Sequence, residues 1–190
     1  MSSFAEKPLL PFTTPAEWEA YLAGSPDPDG VRLLIRKKGA VDPGLTRQEA
    51  LDVALCHGWI DGQAGSHDTQ FSVQAFTPRR RASPWSIVNR EHVVRLIEEG
   101  RMRPAGQAEI DRAKADGRWD AAYRQKGVET PADLQAAIDA DPAAAAAWAA
   151  LGSTARWPFI FRLTSLKRAE TRERRVREYA ALLAAGRTLR

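Results

Sequence analysis

The first apolar positions of the chain repeat with the period of a helix. Trp18, Tyr21 and Leu22 share one helical face. Thr14 and Glu17 have the spacing of a capping box, in which each side chain accepts a hydrogen bond from the other residue's backbone N–H. The pattern therefore predicts a helix that begins directly after Thr14.

The period then changes to two. Val31, Leu33 and Ile35 alternate with Arg32 and Arg36, the period of a half-buried strand. A second capping box at Thr46 and Glu49 starts the next apolar helical stripe. We expect this second helix to end at His57, since Gly58 suits the left-handed conformation that follows many helices.

Two further strands are predicted after this helix. Trp59-Ile60 begins a short strand that turns near Asp61-Gly62, because Asp-Gly is a frequent turn pair. Alternating apolar residues predict another strand through 71–75, which ends at the TPRRR segment. The order is therefore helix, strand, helix, strand, strand.

The second half of the chain contains repeated start signals for helices. Ser86 is placed to cap a helix, Pro104 and Pro131 each open another, and the pair Asp141-Pro142 opens a fourth. The final segment, 159–189, is helical with a break near Glu170-Thr171. These elements predict an α+β fold with a small antiparallel sheet packed against helices and a helical C-terminal half. We expect a sheet-containing region at 1–83 and a helical region at 84–190, packed as one compact unit.

Composition narrows the class of protein without naming a function. The 190 residues carry a net charge of +4 and a single cysteine. One cysteine cannot form an internal disulfide, which fits a reducing compartment. The N-terminus has no signal-peptide pattern and no apolar run is long enough to span a membrane. We therefore expect a cytoplasmic location.

Several unusual motifs, taken in order, resemble the YdeI/OmpD-associated family, also called the bacteriocin-protection or OmdA family. The resemblance extends from about Trp18 to the C-terminus. The residues that carry it are EALDVALCHGWIDGQ at 49–63, TPRRRASPWSIVN at 77–89, GRMRPAG at 100–106, AKADGRW at 113–119 and KRAETRERR at 167–175.

The resemblance implies a fold and a process but no reaction. The N-terminal half of the family is similar to frataxin-like and YjbR-like α+β sandwiches, in agreement with the predicted order of elements. Members are linked with resistance to bacteriocins or antimicrobial peptides and with an outer-membrane porin. The position of His57 is commonly aromatic in relatives, which argues against an essential catalytic histidine. The resemblance supplies no cofactor or catalytic residue.

Cys56 and His57 invite a catalytic or metal-binding interpretation that their spacing does not favour. Neighbouring helical residues do not face each other, and the C-terminal end of a helix opposes thiolate formation. The three histidines and the cysteine lack a recognised zinc spacing. We therefore predict that Cys56 is a buried core residue, and we predict neither a metal nor a cofactor.

The segments WIDGQ and PRRRASPWS together predict an anion-binding site. Guanidinium groups beside a helix N-terminus favour an anion, and an aromatic residue with a carboxylate on one strand face can form a pocket wall. The candidate binding residues are Trp59, Asp61, Gly62, Arg79, Arg80, Ser83, Trp85, Ser86 and Asn89. The alternative is purely structural, with an Asp-Gly turn, a core Trp59, Ser86 as a helix cap and the arginines paired with carboxylates.

A second concentration of positive charge lies near the C-terminus. Its candidate polyanion-binding residues are Lys167, Arg168, Arg172, Arg174 and Arg175. These residues suit nucleic-acid phosphates, although charge runs on amphipathic helices are usually solvated faces.

From these patterns we expect a non-catalytic cytosolic binding or stress-protection protein with a small anionic ligand or a protein partner. The alternative is a nucleic-acid-binding protein that uses the basic C-terminal helices. An enzyme is the weakest hypothesis, because no set of nucleophile, base and orienting group is visible in the sequence.

Overall fold

A computed structural model of the protein describes residues 3–123, 128–164, 166 and 168–189. Contacts divide the chain into two compact units, Met1–Tyr123 and Arg124–Arg190. The first unit contains β1 (Leu9–Leu10), α1 (Pro15–Ala23), β2 (Val31–Arg36), α2 (Arg47–Cys56), β3 (Trp59–Ser66), β4 (Phe71–Pro78), α3 (Ile87–Glu98) and α4 (Pro104–Ala115). The second contains α5 (Ala132–Asp139), α6 (Pro142–Ala150), α7 (Ser153–Thr164) and α8 (Ala169–Ala184).

The first unit is built on a four-stranded sheet of order β1-β2-β4-β3. β4 lies between β2 and β3 and is antiparallel to both. The two-residue β1 pairs in parallel with β2, and its brevity explains why the sequence pattern did not reveal it. The predicted α+β class is confirmed, with the sheet in the N-terminal half and helices in the C-terminal half.

Helices α1 and α2 begin where their capping boxes predict. Thr14 and Glu17 form the complete box of α1, and Thr46 and Glu49 form that of α2. The inner residues of both helices pack on one face of the sheet in an apolar cluster centred on Trp18, whose indole N–H donates to the Ala50 carbonyl at 3.0 Å. This cluster anchors the strands that carry the candidate site.

The predicted turn at Asp61-Gly62 is wrong. β3 continues through both residues to Ser66, and only a shift in its pairing with β4 occurs between Asp61 and Ala64. The turn lies further on, where the Asp68 carboxylate accepts hydrogen bonds from the backbone N–H groups of Gln70 and Phe71 at 2.8 and 2.7 Å. An aspartate that bonds backbone N–H groups two and three residues on stabilises a turn at that position.

A second apolar cluster lies between α2, α3 and α4. Leu51 and Leu55 of α2 pack there with Trp85, Val93 and Leu96. α4 approaches the end of α2 closely, since an added Cβ on Gly106 would lie 2.3 Å from the Cys56 carbonyl oxygen. Helices α3 and α4 therefore belong to the same compact unit as the sheet.

The second unit has a core of its own. Phe159 of α7 contacts Trp148 of α6 and Tyr179 of α8 edge-on, with ring centroids 5.7 and 5.3 Å apart. The alanine-rich run is the helix α6, as predicted, with Trp148 buried. The interruption expected near Glu170-Thr171 comes earlier, because both of these residues already lie in α8. That the two regions form one compact unit stays a prediction.

Candidate functional site

The two candidate segments lie side by side at one end of the sheet. Trp59 of β3 pairs with Pro78 of β4, and the backbone N–H of Arg79 donates to the Gly58 carbonyl at 2.9 Å. The polypeptide then turns through Arg80 and Ser83 into α3, which Ser86 caps. Pairing between the strands therefore places Arg79 beside the start of β3.

Arg79 is a buried arginine with an incomplete set of partners. Only 6% of it is exposed, and its guanidinium carbon lies 3.7 Å from the ring centroid of Trp85. Nη1 donates to the Pro84 carbonyl at 3.3 Å, whereas Nε and Nη2 are buried and have no hydrogen-bond partner among the residues that the structure describes. Within the described part of the chain, no carboxylate lies within the 4.0 Å of an ion pair with Arg79. The expected pairing of Arg79 with Asp61 or a helix carboxylate is therefore not seen in these ranges.

Two neighbouring side chains also carry buried N–H groups for which residues 3–123, 128–164, 166 and 168–189 offer no hydrogen-bond partner. The indole nitrogen of Trp85 is one, and Nη2 of Arg118 is the other. Arg118 Nη2 lies 2.8 Å from Asp116 without the alignment of a hydrogen bond, while Arg118 Nη1 donates to the Ser83 carbonyl at 2.7 Å. We call Arg79, Trp85 and Arg118 the donor cluster. In the described ranges it holds four of the six buried, unpartnered side-chain polar atoms.

The electrostatics of the donor cluster reflect its burial. Desolvation lowers the pKa of Arg79 to about 10, with a further lowering from Arg118, while Tyr123 and Asp61 act in the opposite direction. Burial likewise raises the pKa of Tyr123. Arg79 remains protonated at neutral pH, and its low pKa means that its positive charge is poorly solvated. An anion placed at the cluster would relieve this cost.

Asp61 has a different partner from the one expected. Its carboxylate lies 2.8 Å from Nη2 of Arg47 at the start of α2. Trp59, on the same strand face, is a core residue that meets Trp18 edge-on at 6.0 Å. Gly62 is exposed, and its carbonyl accepts from the Gln74 side chain at 2.6 Å. Trp59 and Gly62 therefore have structural contacts, and Asp61 acts on Arg79 only through its field.

The short polar residues of PRRRASPWS are engaged in local structure. Ser83 Oγ accepts from the Arg80 backbone N–H at 3.0 Å, and Ser86 Oγ accepts from that of Asn89 at 3.1 Å. Ser86 is buried as the cap of α3, Asn89 is half-buried and the Arg80 side chain is exposed. These bonds hold the turn that places Trp85 beneath Arg79.

Arg79 also lines a cavity of about 220 Å³. The other lining residues are Lys7, Pro28, Asp29, Thr77, Pro78 and Arg80. Three of its lining residues, Lys7, Arg79 and Arg80, are cationic, against one carboxylate residue, Asp29. Among the candidate residues, the structure thus stacks Arg79 on Trp85 and places Arg79 and Arg80 in the lining of the cavity.

Two regions of the chain match known protein families. Residues 10–109, just over half of the chain, match the model of a family described as a domain of unknown function, DUF8412. The chain belongs to the DUF8412 family. Residues 127–186 match a second model, described as "Bacteriocin-protection, YdeI or OmpD-Associated".

The resemblance to the YdeI/OmpD-associated family is thereby confirmed over residues 127–186. The DUF8412 region contains three of the five motifs that carried the resemblance, and the last motif, at 167–175, lies in the OmdA region. No curated protein matches the chain, and no solved structure matches it. The similarity to frataxin-like sandwiches stays a prediction.

Cys56 of the DUF8412 region is a core residue, as its position in the sequence predicts. It is buried, and burial raises the pKa of its thiol to about 11. His57 points towards Glu19, with Nε2 3.8 Å from the carboxylate, and not into a nucleophilic pair with Cys56. In the described ranges no group of three or more potential metal ligands is found.

The arginines of the OmdA region are largely paired. Arg172 forms two hydrogen bonds to Asp133, at 2.6 and 2.9 Å, and one to the Leu163 carbonyl. Arg175 lies 2.7 Å and Arg174 lies 3.7 Å from Glu178. Arg168 is exposed at the start of α8, and Lys167 lies outside the described residues. Polyanion binding by this helix stays a prediction.

Sequence reasoning missed two charged partners of the site. Arg47 neutralises Asp61, and Arg118 completes the donor cluster from a position far along the chain. The one available signal for Arg118 was its place in AKADGRW, a motif of the family resemblance. No helix in the described part of the chain is both long enough and apolar enough to span a membrane.

Proposed function

We propose that this protein binds an anionic ligand at the donor cluster without catalysing a reaction, and that it serves stress protection in the cytosol. The observation that carries the proposal is the buried Arg79, stacked on Trp85 with two unpartnered nitrogens. The protective process is supported by the OmdA match, whose description names bacteriocin protection.

The physical argument rests on the cost of burying an unpaired charge. Moving a guanidinium out of water costs roughly several kcal/mol of hydration free energy. An anion and hydrogen-bond acceptors that replace the water can offset this cost. At Arg79 the protein supplies one carbonyl acceptor and an aromatic face. A ligand with a negative charge and several acceptor oxygens supplies what is missing. The structure thus retains a destabilising feature that ligand binding would relieve.

The proposed absence of catalysis is supported by the protonation state of Cys56, the candidate nucleophile. At neutral pH a thiol with a pKa of about 11 is almost wholly protonated, and Cys56 is also buried. The donor cluster itself contributes cations and an indole but no general base, since the nearby Asp61 is held by Arg47.

The proposal predicts that anions stabilise the protein through Arg79. Thermal unfolding is measured with a panel of chloride, sulfate, phosphate, acetate, nucleotides, duplex DNA and RNA at constant ionic strength. A ligand at about 100 times its Kd adds about 2.7 kcal/mol to the free energy of unfolding. Arg79→Gln is expected to abolish the response to the stabilising anion. Arg118→Gln is expected to weaken it.

Arg81→Gln is the matched control, because it removes the same charge from an exposed neighbour. Circular dichroism verifies that each variant is folded. A panel in which no anion raises the Tm of the native protein contradicts the proposal, as does an unchanged response in folded Arg79→Gln. Stabilisation by nucleic acid alone, lost steeply as salt is added, supports the alternative function. The protective role is measured with the same variants, as survival of expressing bacteria under an antimicrobial peptide.

A further inference from the structure

We propose that the donor cluster selects an oxyanion that carries no proton, such as sulfate, a sulfate ester or a phosphate monoester dianion, over hydrogen phosphate. This inference rests on the proposed anion-binding function and specifies its ligand. It follows from the kind of atoms that the cluster leaves without partners.

The unpartnered atoms of the cluster are all N–H donors. They are Nε and Nη2 of Arg79, Nε1 of Trp85 and Nη2 of Arg118. Guanidinium and indole nitrogens donate hydrogen bonds and do not accept them. The vacant positions on Arg79 and Trp85 therefore call for acceptor oxygens, whereas Nη2 of Arg118 already lies 2.8 Å from the Asp116 carboxylate.

The geometry of Arg79 favours an anion with two adjacent oxygens. Nη1 is used by the Pro84 carbonyl, so the two vacant nitrogens, Nε and Nη2, form one edge of the planar guanidinium. Parallel N–H groups on one edge match two oxygens of the same anion. Trp85, on which this guanidinium stacks, carries a further donor, Nε1, that has no partner among the described residues.

The acceptors around the cluster already receive hydrogen bonds. The Ser83 carbonyl accepts from Arg118 at 2.7 Å, and the Trp85 carbonyl accepts from the Tyr123 backbone N–H at 3.0 Å. The Asp116 carboxylate is bonded to Arg118, and the Asp61 carboxylate is bonded to Arg47. Asp29, the carboxylate residue that lines the cavity with Arg79, is not without a partner either. A ligand O–H group would thus compete for acceptors that are already in use.

The O–H group of hydrogen phosphate, which sulfate lacks, sets the expected selectivity. Sulfate and the hydrogen phosphate dianion share charge and tetrahedral shape, but hydrogen phosphate has one O–H donor. Burial of a polar group without a partner weakens binding by about 5- to 150-fold. Methyl phosphate, fully ionised at about pH 8, has the phosphorus chemistry without the proton.

The test is isothermal titration of the full-length protein with sulfate, inorganic phosphate and methyl phosphate at about pH 8 and constant ionic strength. We expect sulfate and methyl phosphate to bind with similar affinity and inorganic phosphate to bind about 5- to 150-fold more weakly. Trp85→Phe keeps the aromatic ring but removes one donor, and it is expected to weaken sulfate binding severalfold. Arg81→Gln, at an exposed position, is expected to bind like the native protein.

The outcomes separate this inference from the function on which it rests. Equal or tighter binding of inorganic phosphate, lost in Arg79→Gln, overturns the selectivity and leaves anion binding in place. Binding of none of the three anions overturns both proposals. Sulfate binding that persists unchanged in folded Arg79→Gln and Trp85→Phe also overturns both, because the anion then binds elsewhere.

Discussion

At the scale of single residues, burial separates side chains that look equivalent in the sequence. Arg79, Arg80 and Arg81 are consecutive, yet only Arg79 is buried. The sequence indicated an anion site at this run but did not distinguish its members, because exposure depends on how the turn after β4 meets Trp85. The partner Arg118 is 39 residues away along the chain. Local spacing therefore pointed to the segment that holds Arg79 but not to Arg118, and anion binding at this segment stays a prediction.

His57 is a second residue whose environment differs from the one that its sequence neighbours suggest. Its side chain is 9% exposed at the end of α2, and burial lowers its pKa from the ordinary value of 6.5, although Glu19 acts to raise it. The unfolded chain therefore takes up a proton at this position at a higher pH than the folded protein does. Neutral His57 stabilises the fold above pH 6.5, and this stabilisation is lost as the pH falls towards the folded-state pKa.

We expect His57→Phe to reduce the loss of stability on acidification, because phenylalanine fills the buried position and does not titrate. The measurement is chemical denaturation of both proteins from about pH 7 to about pH 5. His67→Gln is the control, since His67 is exposed beyond the end of β3. Parallel stability curves for the native protein and His57→Phe would show that the buried histidine makes no contribution to acid sensitivity.

At the scale of helices and strands, the predictions held where a local interaction fixes a boundary. The two capping boxes fixed the starts of α1 and α2, since the bonds between Thr14 and Glu17 and between Thr46 and Glu49 lie within one turn. The Asp61-Gly62 turn failed because pairing with β4 continues past it. Strand length depends on a partner strand, and sequence-local signals do not contain that information.

Gly106 tests the packing of α4 against α2. Alanine in a helix is ordinarily favoured over glycine by about 1 kcal/mol. An added Cβ at Gly106, however, would lie 2.3 and 2.7 Å from the carbonyl oxygens of Cys56 and Leu55, which are backbone atoms. We expect Gly106→Ala to lower the free energy of unfolding by about 1–3 kcal/mol. Gly152→Ala, with no atom within 4 Å of the new Cβ, is the control.

Denaturant titration measures the free energy of unfolding of both variants. For the control, Gly152→Ala, we expect this free energy to change by no more than about 0.5 kcal/mol. A Gly106→Ala protein that is as stable as the native one would show that α4 moves away from α2 at little cost.

At the scale of the whole molecule, the division into compact units agrees with the family matches. The DUF8412 match at 10–109 lies within the first unit, Met1–Tyr123, and the OmdA match at 127–186 lies within the second, Arg124–Arg190. Each unit has its own apolar core. The boundary expected at 83/84 marks a change from strands to helices, which is a different division from that between the compact units.

The location of the donor cluster within one unit leads to a prediction about the separated units. Arg79, Trp85 and Arg118 all lie before residue 124, as does Tyr123, whose backbone pairs with the segment at Trp85 and Ser86. A fragment of residues 1–127 is therefore expected to fold and to bind the stabilising anion within about threefold of the full-length affinity, a difference of less than 1 kcal/mol. A fragment of residues 128–190 is expected to be helical and not to bind it. Circular dichroism measures folding, and isothermal titration measures binding. If the first fragment is folded but no longer binds, the second unit supplies part of the site.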